Sequence, residues 1–398
     1  MSWLVLALRE TWSVTRIGIG TLPQRLGSAA VVVIGIAGVV GVLVALLAMG
    51  AGFERVLQQT GADDTVMILH AGAESEATST LDLDTVAIIS QAPQVLRDAQ
   101  GRPMISADQL LVASLPTRNS GLDASIAMRG VGESVWSLAR PVDIVAGRRF
   151  TPGLRELIVG KGTRDEFLGL NVGSTVSFEG QAWPIVGVFD SGDAHNSEIW
   201  ADANVIGSSY HRGSTVNSLT LRLLDANAFE AFEAGIGSDP RLKVSVQTTR
   251  QYYSRQSESI AQILGIVGTT IGAIMALGAV FGALNTTYAA VADRSREIAT
   301  LRAIGFHGGP VIVSVLLETL LLAALGGAVG AGLTWAIFDG FTASTVGANS
   351  SQVVFAFKVS RELLSNGLIW ALAIGLIGGL LPAIRAARLP IVLGLRGL

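Results

Sequence analysis

Four long apolar runs set the hydropathy pattern of this chain, at residues 28–50, 260–284, 311–338 and 363 to about 384. Each is long enough as a helix to cross a hydrocarbon core of about 30 Å. Glycine recurs inside them at small-residue spacing, which permits close helix approach: Gly35, Gly38 and Gly41 in the first, Gly268 and Gly272 followed by Gly278 and Gly282 in the second. Ahead of the first run, residues 1–26 read as an interfacial helix with Trp3 and Trp12 at headgroup depth and Arg9 and Arg16 toward water. The first apolar run starts late and has full span length, so it does not read as a cleavable signal.

Between the first and second runs the pattern changes. Segments 65–69, 157–160, 175–178, 183–189 and 218–223 are rich in β-branched residues and bounded by Gly, Asp and Asn, which predicts strands. Asn171-Val172-Gly173 and Glu179-Gly180 predict turns, and 161–168 and 226–236 predict helices, the second behind an Asp225 cap. The stretch 98–123, rich in Ser, Gly, Pro and Asn, reads as a loop or inserted subdomain. Residues 248–259 hold no helix breaker, so a helix should continue from this domain into the second span, with 53–59 as its counterpart after the first. These patterns divide the chain into an interfacial helix at 1–26, spans at 27–50, 260–287, 311–338 and 362–384, a mixed α+β domain with stalk helices at 51–259, connecting loops at 288–310 and 339–361, and a tail at 385–398.

Composition agrees: 50% of the 398 residues are hydrophobic and 15% charged, too apolar for a typical soluble protein. No cysteine is present, which excludes disulfides, thiolate metal sites and a Cys nucleophile. The net charge of −3 names no partner, and no basic patch with interleaved aromatics points to nucleic acid. Charge placement gives an orientation. Arg9, Arg16 and Arg25 precede the first span, Arg294, Arg296 and Arg302 follow the second, and Arg385, Arg388 and Arg396 follow the fourth, whereas the loop between the third and fourth holds Lys358 and Arg361. The positive-inside rule places both termini and the 291–309 segment in the cytoplasm and domain 51–259 outside.

The segment 291–309 is the most structured of the connections. Ile298, Leu301 and Ile304 form an apolar stripe, and Asp293 with Arg296 and Arg294 with Glu297 are opposite-charge pairs three residues apart, so a short helix is expected. Gly305 and Gly308-Gly309-Pro310 end it. Such a helix suits docking onto a soluble partner, although composition alone is served equally by an ordinary loop anchored by positive charge.

Catalytic patterns are missing. Gly160-Lys161-Gly162-Thr163 lacks the preceding glycine of a P-loop, His70, His195, His211 and His307 form no metal-binding helix pair, and no nucleophile elbow occurs. Asp190, Asp193, His195 and Glu198 gather in one polar stretch, which reads as a solvated loop rather than a metal site because the intervening Gly and Ser fix no geometry. No enzyme is legible. Inside the spans Glu318 stands out. It should pair with an arginine or cap backbone about two turns in from the cytoplasmic side, the other reading being a proton or substrate role.

Residues 294–305, RSREIATLRAIG, resemble the "R-x-x-E-I-x-x-L-R-A-I-G" segment of FtsX-like, MacB-type ABC transporter permeases. Glu318 with Gly326-Gly327 and Gly330 resembles their third span, and 379–390 with Leu395-Arg396, including Pro382, Arg385 and Arg388, resembles their C-terminal motif. Segments 157–160 and 187–189 are similar to their extracytoplasmic domain. The resemblance implies an α-helical membrane protein with four transmembrane helices and a large α+β periplasmic core domain between the first two. It implies a multi-pass permease of the bacterial inner membrane, dimeric with itself or a paralogue. Two copies of a separate ATP-binding subunit would bind ATP and magnesium, none being bound by this chain, and a periplasmic adaptor could complete the assembly. Arg294, Arg296, Glu297, Ile298, Leu301, Arg302, Ile304 and Gly305 would form the coupling helix that meets that subunit. ATP-driven closure would then move the outer domain without passing substrate through the bilayer, driving export or extraction of a lipid, lipoprotein, peptide or small molecule. The alternative is an FtsX-like regulator that activates a periplasmic cell-wall hydrolase. An ion-coupled carrier is disfavoured by four spans, one intramembrane carboxylate and no inverted repeat.

Overall fold

The computed structural model describes residues 10–13, 15, 16, 20, 25–138, 141–347 and 349–391. Most of the expected interfacial helix 1–26, and Leu395-Arg396 of the C-terminal motif, lie outside them. The chain forms two compact units, one of residues 1–51, 262–341 and 357–398, the other of 52–261 and 342–356.

The first unit is helical. Among the described residues, four helices are long and apolar enough to cross a membrane: Leu26–Thr60, Thr249–Asp293, Gly308–Phe338 and Arg361–Arg388. The first two run past their apolar stretches, because no Gly or Pro interrupts 53–60 or 249–259. Ser360 caps the fourth, its side chain accepting from the Leu363 N–H. In lipid the apolar effect does not drive helices together, so contact must come from close packing. The first helix supplies the centre of that packing with Ile36, Val40 and Val44, all fully buried. Gly326 and Gly330 of the third helix lie against its backbone at Val33 and Ala37, where a Cβ on Gly326 would sit 2.8 Å from the Val33 carbonyl oxygen. Gly268 and Gly272 of the second helix lie against Leu46 and Leu43, at 3.2 and 3.1 Å by the same measure. Both glycine pairs thus seat a helix on the first span.

The second unit is built on a ten-stranded sheet: β1 (Thr65–His70), β2 (Ile105–Pro116), β3 (Asp123–Val131), β4 (Asp143–Gly147), β5 (Leu157–Gly160), β6 (Thr175–Phe178), β7 (Gln181–Asp190), β8 (Glu198–Asp202), β9 (Ser218–Arg222) and β10 (Val244–Thr248). The order is β10-β1-β9-β2-β3-β8-β5-β7-β4, with β6 on β7. The pairs β3–β8 and β5–β7 are parallel and the rest antiparallel. Asp225 caps the turn into helix Phe229–Gly237 by accepting from the Asn227 and Ala228 N–H groups. Glu179 and Gly180, at φ 48° and 77°, make the tight turn between β6 and β7.

Two expectations are corrected here. The stretch 98–123 is not a loop or insertion: its centre is β2, the longest strand of the sheet. Its first four residues pair with β9 and its last eight with β3, so it joins the two halves of the sheet. One half closes over a core containing Ile68, Ile89, Leu219 and Phe232, the other over one containing Trp183, Phe167, Ile185 and Ile199. The loop 339–361 is largely a hairpin, β11 (Thr342–Val346) with β12 (Gln352–Ala356), and belongs to the second unit. It docks there through the Val354 N–H, which donates to Ser197 Oγ at 2.8 Å, and through Phe355, edge-on to Phe53 at 5.6 Å.

Candidate functional site

The helix expected in 291–309 is Ser295–Ala303. The second span ends at Asp293, Arg294 forms the corner, and Gly305 at φ +105° turns the chain out of the helix, a conformation open to glycine at little cost. This corner separates two residues expected to pair: among the described residues no ion pair joins Asp293 to Arg296.

The apolar stripe is split. Ile298 is buried in a cluster with Val291, Val311, Val315, Ala383 and Ala386, at the ends of the second, third and fourth spans, and Ala299 is buried beside it in the chain. Leu301 is half-buried, and Ile304 is 69% exposed. The charges divide in the same way. Arg294 is buried, its Nη1 donating to Glu318 Oε2 at 3.1 Å and its Nε to Glu297 Oε2 at 3.3 Å. Arg302 donates from Nη1 to the Leu389 carbonyl at the end of the fourth span. Arg294 therefore does not lie free on the surface as a partner contact would, because the carboxylate of the third span draws it inward. Arg296, Glu297, Thr300 and Ile304 form the exposed face. Of the C-terminal motif, Pro382 is buried inside the fourth helix, Arg385 lies 5.4 Å over the Tyr288 ring, and Arg388 is exposed.

In the sheet unit the sequence reading missed a buried polar cluster. It surrounds Arg129 of β3, which is 2% exposed. Arg129 donates to Glu198 from Nε and Nη2, both at 2.8 Å. It donates to Glu76 from Nη1 at 2.6 Å and Nη2 at 3.0 Å, and to Asp108 from Nη1 at 3.4 Å. Those contacts use all five guanidinium donors. Ser218 Oγ donates to Glu76 at 2.7 Å, Trp200 Nε1 to Glu198 at 2.7 Å, and Ser106 Oγ to Asp108. Burial would raise the Glu76 carboxyl, but Arg129 holds it below its ordinary range. At Asp108 burial wins over Arg129 and pushes the carboxyl up to about 6.

The solvated loop expected at 190–198 is corrected by the same cluster. Asp193 and Glu198 are buried, and Asp193 Oδ1 lies 3.1 Å from His195 Nδ1. Burial alone would depress the His195 imidazole, but Asp193 and then Glu198 hold it up at about 9. Among the described residues no group of His, Asp and Glu has the arrangement of a metal site.

Residues 29–238 match the MacB-like periplasmic core domain family, and residues 269–391 match the FtsX-like permease C-terminal family. The chain belongs to the MacB-type, FtsX-like ABC transporter permeases. This permease is 26% identical to "Macrolide export ATP-binding/permease protein MacB" of Neisseria meningitidis over 90% of its own length and 56% of the relative's. It thus spans about half the length of the MacB relatives it matches. It is 24% identical to "Uncharacterized ABC transporter permease YknZ" of Bacillus subtilis, over 90% of this chain and 92% of that one. Among solved structures, the periplasmic region of MacB from Actinobacillus actinomycetemcomitans matches with a TM-score of 0.36 at 15% identity, over 52% of this permease and 95% of that chain.

Proposed function

We propose that this permease couples ATP hydrolysis by a separate ATP-binding subunit to movement of its sheet domain. That movement exports or extracts a lipid, lipoprotein, peptide or small molecule. The observation that carries the reading is the two-sided helix Ser295–Ala303. One side is locked into the spans by Ile298 and the Arg294–Glu318 pair, while Arg296, Glu297, Thr300 and Ile304 face outward. A partner gripping the outward side would move the third span through Glu318 and the fourth through Arg302 and Leu389. The second span begins at the helix corner and continues unbroken to Thr249, so it also supplies a rigid rod.

A MacB relative is named as an ATP-binding/permease protein, which supports the ATP-driven reading, and YknZ is named as a permease and matched over nearly its full length, which supports a partner on another chain. By arginine placement the helix and both termini face the cytoplasm, and the sheet domain faces outward. The working assembly in this reading is a permease dimer with two ATP-binding copies and a periplasmic adaptor, and ATP chemistry belongs to the partner.

The test is purification of the tagged permease from its native membrane in mild detergent, with co-purifying proteins identified by mass. An ATP-binding protein at equal stoichiometry, lost in Ile304→Asp, supports the reading. A cell-wall hydrolase beside it would favour the regulator, and no ATP-binding protein at any salt would defeat both.

A further inference from the structure

Between the hairpin β11–β12 and the stalk helix Thr249–Asp293 lies a pocket of about 30 Å³. Its wall brings together Gln256 of the stalk, Glu76, Arg129 and Glu198 of the buried cluster, and Asn349 and Gln352 of the hairpin. All of these residues belong to the sheet unit.

Around the pocket the polar groups are paired. Ser344 Oγ of the hairpin donates to Glu166 Oε1 at 3.0 Å, and Asn349 Oδ1 accepts from the Ala77 N–H at 3.4 Å. Tyr252, one turn before Gln256, accepts through its hydroxyl from the Glu76 N–H at 3.2 Å. At the pocket itself the pairing stops. Gln256 Nε2 and Gln352 Oε1 are both shielded from solvent, and among the described residues neither makes a hydrogen bond. One is a donor and the other an acceptor, yet they do not bond to each other. Buried polar groups rarely go unpaired, because the lost hydration is not replaced.

Two such atoms of opposite kind on one wall ask for a small occupant that accepts from one and donates to the other. A water molecule does both, and it needs about 10–15 Å³ of space and two to four polar partners. The pocket is large enough, and Glu76 and Glu198 on the same wall offer acceptors for the remaining hydrogen. Charge asks for nothing more, since Arg129 is already hydrogen-bonded to both carboxylates.

We propose that an ordered water sits in this pocket, accepting from Gln256 Nε2 and donating to Gln352 Oε1. A bridge of this kind is nearly as favourable as a direct hydrogen bond. It fastens the hairpin, which links the third and fourth spans, to the helix that continues as the second span. The site uses residues of the sheet unit alone and stands apart from the ATP-driven reading.

The experiment pairs an electron-microscopy map of the full-length permease, fine enough to show waters, with thermal unfolding of Gln256→Met, Gln352→Met and the double variant in detergent. Methionine keeps nearly the volume of glutamine and removes the hydrogen bond. The map should show a water within about 3 Å of both amides. Each single variant should melt about 2–4 °C lower. The double variant should lose less than the sum of the two, because both substitutions break one shared bridge. A pocket without water predicts the opposite sign: the amides are then unpaired already, each methionine raises the melting temperature, and the proposal is overturned. Additive losses, or direct contact of the two amides with no density between them, would overturn it as well. If one variant fails to fold, the sign of the other and the map decide.

Discussion

Arg294 of the helix corner and Glu318 of the third span meet at 3.1 Å, with both side chains largely shielded. The pair fastens a short surface helix to a membrane helix, and Glu318 has no need of a transport role to account for its place. Removing it should separate motion at the two ends. Glu318→Ala is expected to leave the partner's ATP hydrolysis running while export falls about tenfold, the effect of roughly 1.4 kcal/mol of lost coupling. Parallel hydrolysis and transport assays in proteoliposomes check this, and wild-type transport in Glu318→Ala would show that the pair transmits nothing.

The two isoleucines of the helix should behave in opposite ways. Ile298→Asp buries a carboxylate in an apolar cluster and should lower the melting temperature sharply. Ile304→Asp, at an exposed position, should change stability by about 0.5 kcal/mol or less yet weaken partner binding. Thermal unfolding in detergent and a pull-down of the ATP-binding protein distinguish them.

Close helix contact gives a third expectation. Gly330→Val forces a side chain into the first span's backbone at Ala37 and should cost about 1–3 kcal/mol or more. Gly332→Val, where a Cβ meets nothing within 4 Å, is the control and should leave the melting temperature nearly unchanged. Equal effects at the two positions would refute the packing assignment.

The buried cluster predicts an asymmetric response to pH. His195 is held up at about 9 against an ordinary 6.5, so its contribution to stability is full below 6.5 and lost as pH rises through 9. Asp108, raised to about 6 from 3.8, contributes fully below 3.8 and loses that as pH rises through 6. Glu76 and Asp193, held below their ordinary values, work in the opposite sense and lose their contribution only in acid. The groups surrounding these residues are Arg129, Glu76, Glu198 and Asp193. Stability should therefore fall from pH 6.5 to above 9, and His195→Gln should flatten that fall. Melting temperature against pH for both proteins is the check.

Much of the fold was legible because it is local. Apolar runs of span length announce themselves, and Leu157–Gly160 and Thr175–Phe178 carry strand composition between glycine turns. Strand β2 was hidden because Gly101, Pro103 and Gly121 flank it and Pro116 is its last residue, so a window over 98–123 averages as a loop although Leu110-Leu111-Val112 does not. The Arg129 cluster was hidden for another reason. Glu76, Asp108, Arg129 and Glu198 are far apart in sequence and meet only through sheet order, which no local period encodes. The readable clue was a lone arginine within the apolar run Ile126-Ala127-Met128 and Val131. In the short helix the period of Ile298, Leu301 and Ile304 was plain, but period alone does not say that Ile298 turns inward while Ile304 stays outside.

The central claim is that the outward face of Ser295–Ala303 and its adjoining Ile304 meet an ATP-binding protein, and the absence of cysteine from the chain makes a direct test simple. Single cysteines replacing Ile304, Thr300 or Ile298 would be treated in native membranes with a short thiol-to-amine cross-linker, and the products identified by mass. The account predicts an ATP-binding protein joined at 304 and 300 and absent at 298. Cross-linking at 298 but not at 304, or no ATP-binding protein at any of the three, would contradict it.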